Sequence, residues 1–179
     1  MIRANPNGNW PKIHQSAYID PTAVVIGKVK IGKNVLVAPG AVIRADEQNS
    51  LIEIADNCNV QDRVIIHALR NSSVVIGKGT SLSHGCIIHG PCHIGKDCFI
   101  GFGSVVFKAE IADAVFVKFM AVVCGVDISK GKVVPEGAVI NCWDKVKSLG
   151  SASKELEEFK QNVIKVNLEL VKGYKKITA

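Results

Sequence analysis

The fold class that the sequence predicts is an all-β solenoid, a parallel β-helix of triangular section with a C-terminal α-helix packed alongside. Three observations predict it. β-branched residues recur every six positions over most of the chain. Small residues recur four positions after them. Aromatics make up only 6% of residues, so Ile and Val supply the apolar mass, which favours strands over a helix bundle.

The large series starts at Ile13, Ile19, Val25, Ile31, Val37 and Ile43, breaks over 44–53, and resumes at Ile54, Val60 and Ile66. A second break covers 68–75. Ile76, Leu82, Ile88, Ile94, Ile100 and Val106 follow, then Ile111, Val117 and Val123. Neither a 3.6-residue helix nor simple alternation gives this spacing. Six residues make a short strand and a tight corner, and three such rungs make one coil. The coils start at 13, 31, 54, 76, 94 and 111. The large residue fills the inside of a wall, the small one fits the corner, and Gly after the large residue eases the backbone angles there. The pattern resembles the hexapeptide-repeat family, and that resemblance implies a left-handed coil; general chirality rules alone favour right-handed crossovers.

The β-helix is expected over 1–128, with the two breaks as loops leaving corners after the second and third coils. Residues 129–150 read as an irregular cap, and 151–179 as a helix of the same single domain. Leu156, Phe159, Val163, Val166, Leu170 and Tyr174 recur at threes and fours. Glu155, Glu157 and Glu158 sit in the first turn, where the helix dipole favours them. Such a helix needs a partner surface, and the outer wall of its own prism or of a neighbour's is the expected one.

The composition excludes several classes. The 179 residues carry a net charge of +6, but the basic residues are spread out, and no aromatic-studded basic patch points to nucleic acid. No apolar run approaches the ~18 residues of a membrane span. MIRANPNGNW lacks the apolar core of a secretion signal. A cytoplasmic location with reduced thiols is therefore expected. Cys58, Cys86, Cys92 and Cys98 occupy the small inward slot and read as packing residues.

The repeat sorts the histidines. His67 and His89 each follow a third-wall Ile by one residue, so both point outward and lie one coil apart, about 4.8 Å. Arg44 holds the same place one coil earlier. His84 lies two residues after Leu82, at a corner of the second wall, with Asp62 one coil earlier and Gln61 beside it. One prism cannot easily turn both surfaces to one metal, whereas adjacent copies in a threefold ring can. Three imidazoles and a water form an open, catalytic type of zinc site, which lowers the pKa of the bound water to about 7. The same donors accept iron(II) or cobalt.

The segments PGAVIRADE, NCNVQDRVIIH and LSHGCIIHG resemble the γ-class carbonic anhydrases, including the carbonic anhydrase domain of the carboxysome scaffold protein. The likeness covers roughly residues 12–170. It implies a homotrimer converting CO2 and bicarbonate, with His67 and His89 binding metal from one subunit and His84 from the next. It further implies an interface ion pair between Arg44 and Asp62, Asp46 orienting the arginine, and Gln61 positioning water or bicarbonate. Glu47 assists proton handling and Asn59 lines the CO2 pocket. The loop ALRNSSVV carries no carboxylate where some members have a proton-shuttle glutamate, so low turnover is expected. Two other readings stand beside this one. A hexapeptide acyltransferase would use acetyl-CoA and a single histidine base without metal. A catalytically silent relative would serve as an assembly or binding module.

Overall fold

Six residues per wall set each inward Ile or Val directly over its counterpart in the next coil. The computed structural model describes residues 1–177. It is a parallel β-solenoid of about seven turns with two helices. Wall one runs from Lys12–Ile13 to Asp127–Ile128, wall two from Tyr18–Ile19 to Lys132–Val134, and wall three from Ile2–Arg3 to Val139–Ile140. The strands Ile87–Ile94 and Val105–Ile111 bend through the corner between walls three and one, so those walls form one continuous sheet. Inward residues such as Ile43, Ile66, Ile88 and Val106 are fully buried. The small slots hold Ala23, Ala41, Val64, Cys86 and Ser104, also buried. Polar members of that slot bond the neighbouring coil: the Thr80 hydroxyl donates to Gly95 O at 2.8 Å, and Ser104 to Lys118 O at 2.8 Å.

The solenoid runs past residue 128, where the sequence reading ended it, and its first coil is preceded by a further strand within the expected range. Ile2–Arg3 pairs with Val25 and Ile26, adding a rung before the first repeat. Within 129–150, expected as an irregular cap, Lys132–Val134 and Val139–Ile140 pair in parallel with the coil below. Ile128, Val134 and Ile140 keep the six-residue step, so this seventh coil was present in the pattern. Only the short helix α1 (Trp143–Lys147) and its flanks leave it.

The glycines after the large residues have a different cause from the one expected. Gly32, Gly77, Gly95 and Gly101 are absent from the left-handed region; a Cβ on any of them would strike the next coil. At Gly77 it would lie 2.4 Å from the carbonyl carbon of Gly95. Most left-handed residues instead fall three places after the large one: Asn34, Asn57, Gly79, Asp97, Ala114 and Gly131 at the first corner, and Gly40, Arg63, Gly85, Gly103, Met120 and Gly137 at the second; Gly27, Lys108 and Gly125 fall two places after it at the third.

Helix α2 (Lys154–Ile177) starts at Ser153, whose Oγ accepts from Leu156 N–H at 3.3 Å. The last two residues of the range expected to be helical lie outside the described residues. The helix lies along wall two, antiparallel to the direction in which the coils advance. Tyr174 stacks on Tyr18 in the first coil (4.6 Å), Asn167 meets Gln61 in the third, and Phe159 packs edge-on against Phe99 in the fifth (5.4 Å). Seven residues from Asn167 to Tyr174 rise about 10 Å, matching two coils at about 4.8 Å each. The buried positions of α2 are Lys160, Asn167 and Val171. Phe159, Val166 and Leu170, expected on the contact stripe, are 41%, 52% and 41% exposed, so the helix is rotated by about one residue from that reading. No described helix is long and apolar enough to cross a membrane.

Two glycine substitutions should separate the two backbone constraints. Gly77→Ala forces adjacent coils apart and should cost about 3 kcal/mol or more. Gly131→Ala, left-handed but facing open space, should cost about 1–2 kcal/mol. Urea unfolding midpoints of the two variants would give the order, and equal costs would contradict the close-approach argument.

Candidate metal centre

On wall three the register pairs His67 with Arg44 on one side and His89 on the other, and His89 with Phe107 beyond. The columns read from sequence are therefore present. Arg44 Nη2 lies 3.2 Å from His67 Nε2, and His67 Nδ1 lies 3.2 Å from His89 Nε2. A guanidinium only donates, so His67 Nε2 accepts, His67 Nδ1 carries the hydrogen, and His89 Nε2 accepts it. That leaves His89 Nδ1 buried without a hydrogen-bond partner. Asp46 Oδ1 and Glu47 Oε1 also approach His67 Nε2, at 3.5 and 3.4 Å. The ring nitrogen thus faces a donor and two acceptors, and either tautomer of His67 finds a partner. Burial, then the Arg44 charge, hold the His67 pKa below its usual value. Neutral imidazole, the ligating form, is favoured.

The loops that interrupt the repeat build the rim of this cluster. Residues 46–50 and 68–72 stack on each other, with Asn49 Nδ2 donating to Asn71 Oδ1 at 2.9 Å. Arg70 N–H donates to Glu47 Oε2 at 2.7 Å, so the second loop holds Glu47 beside His67. Arg44 reaches Asp46 at 3.5 Å.

The remaining residues lie on wall two and its outer corner. Gln61 Nε2 donates to Asn59 Oδ1 at 3.0 Å and to Asn167 Oδ1 at 2.7 Å. Asn59 in turn donates to Ser81 Oγ at 2.8 Å, and Asn167 to Val163 O at 2.8 Å. Asn167 was missed from the sequence, although it interrupts the apolar stripe of α2 four residues after Val163. Gln61, His84 and Asn167 share a hollow of about 350 Å³ whose apolar sides are Phe99, Phe102, Phe159, Val163, Val166 and Leu170. Asp62, expected to pair with Arg44 of a neighbour, lies 2.7 Å from His84 Nδ1 in its own chain.

The structure thus unites Arg44, Asp46, Glu47, His67 and His89 in one cluster, and Gln61, Asn59, Asp62 and His84 around another surface. Among the described residues of one chain, no three His, Cys, Asp or Glu side chains are placed to hold a metal ion together. The His67–His89 pair nevertheless fits one when the His67 hydrogen sits on Nε2, facing the Asp46 and Glu47 carboxylates, which frees Nδ1. Two ligand nitrogens on a tetrahedral cation with bonds of about 2.05 Å sit about 3.3 Å apart, close to the 3.2 Å observed. The cysteines stand apart from both surfaces. Cys58, Cys86, Cys92 and Cys98 are buried and unpaired, and burial pushes the thiols of Cys58 and Cys98 up to about 12 and about 11.

Residues 11–45 and 73–108 match the model of the bacterial transferase hexapeptide family. The carbonic anhydrase of Methanosarcina thermophila is 35% identical over 97% of this chain and 81% of its own length. The chain belongs to the γ-class carbonic anhydrase family. A second member, the carboxysome assembly protein CcmM of a Nostoc species, is 38% identical over 91% of this chain, which spans about a third of that relative's length. This chain is also similar to the crystal structure of an acetyltransferase-like protein from Bacillus cereus. It has a TM-score of 0.86 and 25% identity, and the match covers 99% of this chain and 98% of the other.

Loss of the Asn167 side chain should expose the orientation of Gln61. Asn167→Leu leaves the Gln61 amide one acceptor short and should destabilise the fold by about 1–3 kcal/mol. Thermal unfolding measures that cost, and a variant as stable as the parent would show that the buried amide chain contributes nothing.

Proposed function

We propose that the protein is a metal-dependent carbonic anhydrase, a lyase that interconverts CO2 and bicarbonate at sites between the subunits of a homotrimer. The observation that carries this reading is the division of the histidines. Wall three offers the His67–His89 nitrogen pair, and the corner of wall two offers His84. A heterologous contact that closes by threefold rotation would bring the two together.

The surfaces around each half suit such a contact. Wall three carries an outward row in register: Val24, Val42, Ile65, Ile87, Val105, Val122 and Val139. Ile65 and Val139 are 41% and 48% exposed in the single chain. Near His84, Phe102 stacks flat on Phe119 at 4.6 Å, and Met120 is exposed. Joining these apolar strips would exclude water from the ring of polar residues between them.

A zinc ion, with iron(II) or cobalt(II) able to replace it, would activate water for attack on CO2 at neutral pH. Both hydrogens of the Gln61 amide are taken by Asn59 and Asn167, so its Oε1 is turned to accept from the substrate side. Arg44 and Asp46 flank His67, and Arg44 is assigned to Asp62 of a neighbouring copy as the interface ion pair. Glu47, fixed by the second loop, is assigned to proton handling. Asn59 orients Gln61 beside the CO2 pocket. The buried thiols suit a cytoplasmic setting.

The likeness to a carboxysome assembly protein favours a second reading, an assembly module without activity. The acetyltransferase-like neighbour favours a third, transfer from acetyl-CoA.

The purified protein should be a trimer with one metal per interface and should hydrate CO2 in stopped-flow assays. His84→Ala and His67→Ala should each lower kcat/KM by more than about 100-fold with loss of metal, and Ile65→Asp should yield monomers without metal. Full activity in His84→Ala would reject the three-histidine site between subunits. A metal-bearing trimer without CO2 turnover would favour the assembly module, and acetyl-CoA binding without metal would favour the transferase.

A further inference from the structure

The Asp62–His84 contact is a built feature of one chain. Both residues stand two places after the inward residue of wall two, in coils whose register is set by Asn59–Ser81 and Val60–Leu82. Gly85 N–H donates to Asp62 O at 2.9 Å and closes the corner beneath them. Asp62 Oδ2 then lies 2.7 Å from His84 Nδ1. A carboxylate only accepts, so Nδ1 carries the hydrogen and the lone pair sits on Nε2, on the far side of the ring. Phe102, 5.4 Å away and itself stacked on Phe119, limits the ring's swing. Tautomer and orientation are both set without a second copy of the chain.

We infer that Asp62 is a positioning residue that locks His84 in the Nδ1–H tautomer and presents Nε2 as the metal-ligating atom to a neighbouring copy before the copies meet. The inference rests on the proposed reading of His84 as a ligand, and it gives Asp62 a task that does not depend on Arg44.

Two measurements test this. The first is the tautomer of His84 in the metal-free protein at pH 8, read from its ring ¹⁵N shifts. The expected form is Nδ1–H in the parent and in Arg44→Met, and a mixture in Asp62→Ala. The second is cobalt(II) affinity of the assembled protein, followed by absorbance. Asp62→Ala should bind about 10–100-fold more weakly, and Asp62→Asn, which keeps an acceptor oxygen, should recover most of the loss. An Nε2–H tautomer in the parent overturns the inference even if no variant assembles. So does an Asp62→Ala trimer with unchanged tautomer and affinity, or an Arg44→Met protein that repeats the Asp62→Ala tautomer change. A parent that binds no cobalt(II) overturns the metal reading itself, which is a different result from a parent that binds it equally well with and without Asp62.

Discussion

Everything in this molecule depends on coils stacked in strict register, with adjacent strands about 4.8 Å apart. Equivalent positions become continuous rows along the prism, so a residue's partners are fixed by its place in the six-residue step. The inward rows make the core. The same closeness forbids a Cβ at Gly32, Gly77, Gly95 and Gly101, where one coil's backbone rests on the next. It also places His67 against His89, because sequence neighbours twenty-two apart are strand neighbours here.

The outward rows are free to differ, and each wall has been given its own character. Wall one exposes Lys12, Lys30, Glu53, His93, Glu110 and Asp127, with ion pairs such as Lys30–Glu53 at 3.8 Å and His93–Glu110 at 3.2 Å. These are surface pairs of small energetic worth, and they mark the solvent side. Wall two reads Tyr18, Leu36, Asn59, Ser81, Phe99 and Phe116. Its polar centre lies between apolar ends, and α2 repeats that order with Tyr174, Asn167 and Phe159. A slip of one helical turn would leave Asn167 Oδ1 and one Gln61 N–H unmatched, costing about 1–3 kcal/mol. That mismatch fixes the helix register more sharply than the aromatic contacts alone.

Much of this was legible in the sequence, for a physical reason. A period of six is long enough to be unmistakable and gives each place in the rung a fixed side. The core rows, the Arg44–His67–His89 column and the separate place of His84 follow directly from it. What escaped depends on surfaces meeting across long separations. Asn167 faces Gln61 from 106 residues away, and no period links the helix to the prism. The rotation of α2 escaped because its contact stripe includes Lys160, whose stem is buried while its ammonium reaches Glu157 at 2.7 Å. The outward aliphatic row of wall three was written as doublets, Val24–Val25, Val42–Ile43, Ile65–Ile66 and Ile87–Ile88, of which the inward member alone attracts attention. The seventh coil was hidden by polar residues around Val134.

Hollows lie on the prism's own corners, as beside Asp62, Arg63 and Gly85, but flat walls can display imidazoles more easily than enclose a substrate or exclude water. The apolar-sided hollow arises where another element leans against the prism. Helix α2 supplies one such surface, bending the neighbourhood of Gln61 and His84 into a hollow with apolar sides. The His67–His89 pair lies beside no comparable apolar hollow among the described residues: the loops at 46–50 and 68–72 bury much of His67 but bring polar groups to it. Under the proposed function, a site with three imidazoles, an apolar pocket and exclusion of water would need a second copy. The two incomplete surfaces of one chain are complementary in what each lacks, one having the nitrogen pair and the carboxylates, the other the third imidazole, the oriented amide and the pocket.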